Sequence, residues 1–113
     1  MEDCIFCKIA SGKLPGTMVY QDDEIVAFRD IHPKAPVHVL IIPRRHITTV
    51  ADLNEADSGL MGKMVLVASK IGKQEELSGR GYRLLINYGP DSGMVVHHLH
   101  LHLLGGRRLA DMG

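Results

Sequence analysis

The chain has no tryptophan, and its aromatics are three Tyr and two Phe. A core must therefore be built from Leu, Ile, Val, Met and Ala. Net charge is missing too, since Lys+Arg and Asp+Glu each number 13. A duplex nucleic-acid binder usually carries a basic face or a strong positive excess, so that class is not expected. A small anionic ligand stays open, because a local site needs no global charge. No apolar run approaches the ~18 residues of a membrane span, so no membrane partner is expected. The start, MEDCIFCKIA, is acidic and has no basic segment before an apolar stretch. That argues against a secretory signal and for a cytoplasmic protein. Cysteine is limited to Cys4 and Cys7. In a reducing compartment the pair reads as free thiols or metal ligands more readily than as a disulfide.

What is present suits one domain over residues 1–113, with an apolar fraction of 45%. That fraction supports a core and argues against wholesale disorder. Residues 4–10 allow one short helical stretch. Gly12, Pro15 and Gly16 mark a turn. The segments around 17–20 and 24–30 read as a hairpin across Asp22 and Asp23. VHVLII (37–42) is the clearest strand, apolar on both faces as a covered central strand would be, with His38 its single polar side chain. Arg44 and Arg45 then read as a solvated basic turn rather than a phosphate clamp. Asn54 and Asp57 look like an N-cap with an acidic first turn. Leu60, Met64, Val67, Ala68 and Ile71 follow at helical spacing, interrupted by Gly62 and Gly72. YRLLIN (82–87) is a strand, YGPDSG (88–93) a loop, and the stretch from about 95 to 104 a last strand. Strands dominate, one helix is long, and parallel crossovers are few. The class is α+β, an antiparallel sheet with a helix on one face.

The concentrated feature is HHLHLHLLGG, residues 97–106, which holds four of the seven histidines. In a strand, His98, His100 and His102 share one face, and Leu99, Leu101 and Leu103 share the other. His97 falls on the leucine side. A solvated face would usually carry Thr, Lys, Glu or Ser. Two other readings remain: a metal site, or catalysis by a neutral imidazole with neighbours that hold its tautomer or carry a proton. The glycine-bearing loops YGPDSG and LLGGR offer backbone N–H groups to a phosphate, which includes Gly93.

The segment from His98 to Leu104 alternates as His-φ-His-φ-His-φ-φ, with φ apolar. Together with CIFCKIASGKLPGTMVYQDDEIVAFRDIHPKAPVHVLIIPRRHI and GYRLLINYGPDSG, it resembles the histidine-triad (HIT) superfamily, Hint branch. The likeness runs from Cys4 to Arg107. It implies a five-stranded antiparallel sheet with one long and one short helix, and a homodimer whose sheets join into one of ten strands. It implies hydrolysis of purine nucleoside 5′-phosphoramidates or acyl-nucleotides of AMP or GMP type, with no metal needed for the chemistry. By the same resemblance His100 is the nucleophile that forms a nucleotidyl-histidine, and His102 meets the phosphate or leaving group. His38 orients the triad. Ile5, Phe6 and Ile31 wall the base. Asp30 accepts the ribose hydroxyls, a role that suits a carboxylate, and Asn87 stands near ribose and phosphate.

Two features qualify the likeness. The family usually has a polar pair where Met94 and Val95 stand, which leaves the backbone N–H of Val95 to meet a phosphate oxygen. The short C-terminal tail lacks the Trp-Pro-Pro ending of some members, which implies the bacterial type. A nucleotide-binding module with weak catalysis and a dinucleoside polyphosphate hydrolase are the alternative readings. Members that keep the cysteine pair bind a structural zinc, which here implies Cys4, Cys7, His46 and His98.

Overall fold

The computed structural model describes residues 3–113. Helix α1 (Ile5–Ala10) leads into strands β1 (Met18–Gln21), β2 (Ile25–Arg29) and β3 (Val37–Pro43). The long helix α2 (Ser58–Gln74) comes next, followed by β4 (Tyr82–Leu85) and β5 (Leu101–Gly105). The strands form one sheet in the order β1-β2-β3-β5-β4, and every neighbouring pair is antiparallel. The α+β expectation, with one long and one short helix, is met. No helix among the described residues is long and apolar enough to cross a membrane.

β3 sits at the centre of the sheet, and its pleat sends alternate side chains to two cores. Val39 and Ile41 face α2, where Met64, Val67, Ala68 and Ile71 pack against Leu99, Leu101 and Leu103. Leu40 and Ile42 face the other way, into a cluster with Phe6, Val26 and Phe28 beneath α1. The leucines of the histidine segment thus belong to the helix side. The helical spacing breaks at Gly72 for a reason: a Cβ there would meet the Tyr82 ring at 2.7 Å.

Several boundaries differ from the sequence reading. Asn54 caps a separate 3-10 turn, Glu55–Asp57, accepting from Ala56 N while the Asp57 carboxylate accepts from Asn54 N. Helix α2 starts one turn later, because Asp57 is committed to that box and to the Arg45 guanidinium. Arg44 is a tie and not a solvated turn: it donates to Asp22 O and Ala10 O, each at 2.7 Å. The last strand begins at Leu101 rather than 95, because the chain before it bends away and Leu99 N donates to Ile47 O. Strand β4 ends at Leu85, opposite His102, for want of a partner beyond. His97 lies before the bend and is exposed, beside Cys4 and His46, so it does not join the leucine face.

Candidate active site

Four imidazoles stand in line on the α1 side of the sheet. Ring centroids are 4.9 Å apart for His100–His102 and 5.1 Å for His38–His102. Register explains the second pair. His102 pairs with Leu40, which places His38 one diagonal step away on the same face. Phe6 of α1 stands edge-on to His100, with centroids 5.1 Å apart and planes at 90°.

Backbone groups decide which ring nitrogen carries each proton. His98 O accepts from His100 Nδ1 at 2.7 Å, so Nδ1 is the N–H and Nε2 holds the lone pair. Pro43 O accepts from His98 Nε2 at 2.8 Å, which leaves the His98 Nδ1 lone pair turned elsewhere. Lys34 N donates to His38 Nδ1 at 3.1 Å, so His38 carries its proton on Nε2 and donates it to His102 Nδ1 at 2.9 Å. His102 must then bear its proton on Nε2. That atom is buried without a hydrogen-bond partner, and an unpartnered buried donor is costly unless something anionic or polar meets it. Asp30 Oδ2 lies 3.5 Å from His38 Nε2, while Asp30 Oδ1 accepts from His32 N.

Burial also keeps these rings neutral. It pushes His100 down against the opposing pull of the His98 carbonyl and Asp30. It pushes His38 down as well, with Asp30 opposing and Lys34 assisting, and it lowers His98. His102 is pushed down to about 4 by burial and by the neighbouring His100 and His38. A neutral imidazole with a free Nε2 lone pair is nucleophilic at physiological pH.

A cavity of about 470 Å³ opens in front of His100 and His102. Ile5, Phe6 and Ile31 line it together with Asp30, and so do Asn87, Gly93 and Val95. Val95 is 84% exposed there, and Gly93 adopts the left-handed φ of +82° that ends the loop turn. His38 and His98 sit behind the cavity rather than on its wall. Phe28, Leu40 and Lys34 also line it. Sequence pattern read the first two only as strand residues, and the Lys34 backbone N–H leaves no signature in a sequence at all.

A second cluster adjoins the first. The ligand atoms of Cys4, Cys7, His46 and His98 all lie within 4.8 Å of one another. His98 Nδ1 is 3.2 Å from Cys4 Sγ and 3.4 Å from Cys7 Sγ, and His46 Nδ1 is 3.3 Å from Cys7 Sγ. A tetrahedral zinc with bonds of about 2.0–2.3 Å separates sulfur and nitrogen ligands by about 3.5 Å, and the three sulfur–nitrogen distances here are of that size. The Pro43 carbonyl on His98 Nε2 is the backing that a metal-bound histidine ordinarily has.

The site thus combines an imidazole row with a free lone pair, an unpartnered N–H beside it and a mostly apolar pocket in front. Comparison with known proteins gives the family. The HIT domain family matches residues 11–109. The purine nucleoside phosphoramidase of Escherichia coli is 48% identical, over 98% of this chain and 93% of that one. A HIT family hydrolase from Legionella pneumophila has a TM-score of 0.94 at 50% identity, covering 96% of both chains. A histidine triad protein from Clostridium difficile has a TM-score of 0.96 at 39% identity, covering 100% of this chain and 98% of that one. The chain belongs to the HIT domain family and is an enzyme, a hydrolase of that family.

Proposed function

We propose that the protein, as a single HIT domain over the whole chain, hydrolyses purine nucleoside 5′-phosphoramidates or acyl-nucleotides. The observation that carries this is the tautomer of His100. With Nδ1–H held by a main-chain carbonyl, Nε2 presents its lone pair where His100 lines the cavity. Nε2 attacks the α-phosphorus and the P–N or P–O bond to the leaving group breaks; a leaving amine takes its proton from solvent, whereas a leaving carboxylate departs as the anion. His102 Nε2–H supports the charge that builds on the phosphoryl oxygens. Water then attacks the nucleotidyl-histidine, which restores the imidazole and releases the nucleoside monophosphate. Asp30 accepts the ribose hydroxyls, Ile5, Phe6 and Ile31 hold the base, and Asn87, Gly93 and the Val95 backbone stand around the phosphate. His38 keeps His102 in its tautomer. The resemblance to the Escherichia coli enzyme, whose name specifies a purine nucleoside phosphoramidase, supports this substrate class.

Zinc held by Cys4, Cys7, His46 and His98 has a structural role in this reading. It ties α1 to the chain between β3 and α2 and to the segment before β5, and supplies no catalytic step. The protein acts as a homodimer. β4 is an edge strand bonded only to β5 and is open to pair with a second copy, and α2 exposes Val65 and Leu66. A sedimentation experiment that returns a monomer mass overturns the dimer. The compartment is cytoplasmic, in keeping with two cysteines that form no disulfide.

Adenosine 5′-phosphoramidate is the test substrate. Turnover that survives in His100→Ala would sink the mechanism. A second reading rests on Met94 and Val95, which bring no side-chain donor to the phosphate: a binding module with weak catalysis. Tight binding of AMP with no turnover of any phosphoramidate decides for it. Faster cleavage of diadenosine polyphosphate than of the phosphoramidate would move the assignment to a dinucleoside polyphosphate hydrolase.

A further inference from the structure

The 31–36 loop carries two duties. Ile31, His32 and Lys34 line the cavity, and the Lys34 N–H fixes the His38 tautomer. The loop has no regular secondary structure, so something must hold it. The nearby bonds are local: Asp30 N donates to His38 O, and His32 N to Asp30 Oδ1. One described hydrogen bond reaches the loop from far along the chain. Arg107 Nη2 donates to Lys34 O at 2.8 Å, across 73 residues.

The turn that carries Arg107 is itself fitted to the loop. Gly106 has φ +95°, and a Cβ there would meet Pro36 Cβ at 2.8 Å. Gly106 O accepts from Arg80 Nη1 at 3.1 Å. The turn after β5 thus presses on Pro36 and grips Lys34 O. Both groups of Lys34 are engaged, its C=O by Arg107 and its N–H by His38. Were the grip lost, Lys34 would be free to rotate its N–H away. His38 Nδ1 would lose its donor, and only the longer approach of Asp30 Oδ2 to Nε2, at 3.5 Å, would still favour the proton there.

We propose that Arg107 is a positioning residue for the hydrolytic reaction. Its hold on the Lys34 carbonyl locks the His38 proton toward His102, and so keeps His102 presenting Nε2–H. The step rests on the proposed function only for its effect on turnover; the tautomer effect stands alone. The experiment is therefore read twice. Nitrogen-15 NMR of the imidazoles in the free protein should show the Nε2–H tautomer for His38 and His102. Arg107→Ala should convert His38 to a tautomer mixture, with kcat on adenosine phosphoramidate reduced about 10-fold, a size in keeping with a misplaced acid–base partner. Arg107→Lys, which keeps one donor, should restore most of both signals. Lys34→Ala keeps the backbone N–H and should leave the His38 tautomer as in the parent. Unchanged tautomers in Arg107→Ala would overturn the proposal, as would a tautomer change of equal size in Lys34→Ala. No turnover in the parent protein, with the tautomer change intact, would sink the proposed function and leave the positioning role standing.

Discussion

Two histidine clusters lie side by side and are wired in opposite ways. In one, Asp30, His38 and His102 bring their ligand atoms as close together as a metal site would. Yet the Lys34 N–H forces the proton of His38 onto Nε2, the nitrogen that faces His102. The atoms that meet are a donor and an acceptor, with no pair of lone pairs for an ion. In the other, Pro43 O takes the His98 proton on Nε2, and the lone pair of Nδ1 is left facing two thiols. The same residue type, in one strand-like run, comes to meet an N–H donor at His102 and to turn a lone pair toward two thiols at His98. The choice is made by which main-chain group meets the far nitrogen.

The sharpest way to test this division is to delete one side at a time. His100→Ala should lower kcat at least about 10³-fold on a phosphoramidate, the scale of removing a covalent nucleophile. Zinc content, measured by metal analysis, should be unchanged. His102→Ala removes the unpartnered N–H and should cost about 10²-fold in kcat, again with zinc retained; a loss of metal would show that the clusters are not separate. Cys7→Ala should do the reverse. Zinc should drop from near-stoichiometric to near zero, the thermal midpoint should fall by roughly 10 °C, and kcat should change by less than about 10-fold. A parent protein purified without added zinc and found metal-free would break the comparison outright.

The smallest effect is a pH dependence. His102 is held near 4 in the fold, while an unfolded histidine titrates near 6.5. Between those values the unfolded chain binds the extra proton, so stability is full above about pH 6.5 and declines as pH falls toward 4. Denaturant midpoints at pH 7 and pH 5 measure this. His102→Phe should flatten the slope.

Much of this was readable in the residues. Alternation in HLHLHL separated the leucines that pack under α2 from the histidines, even though the regular strand begins only at Leu101. VHVLII announced a strand buried on both faces, and β3 is that strand. Less could be read where folding brings distant groups together. The His38–His102 contact depends on register between β3 and β5, which composition does not encode. Arg44 looked like a surface cation, yet it ties the end of α1 at Ala10 to the turn after β1 at Asp22. The tautomers depend on main-chain atoms of Lys34, Pro43 and His98, and no side-chain pattern points to those.

At His98 the main-chain anchor matters for mutagenesis. The ring belongs to the thiol cluster, but the atom that anchors the His100 ring is the carbonyl of the same residue. Every amino acid carries that oxygen. Mutagenesis at position 98 can therefore remove the imidazole that faces the thiols while the anchor passes unchanged to the replacement residue. A scan of side chains would miss the hold on His100 Nδ1 that is made there.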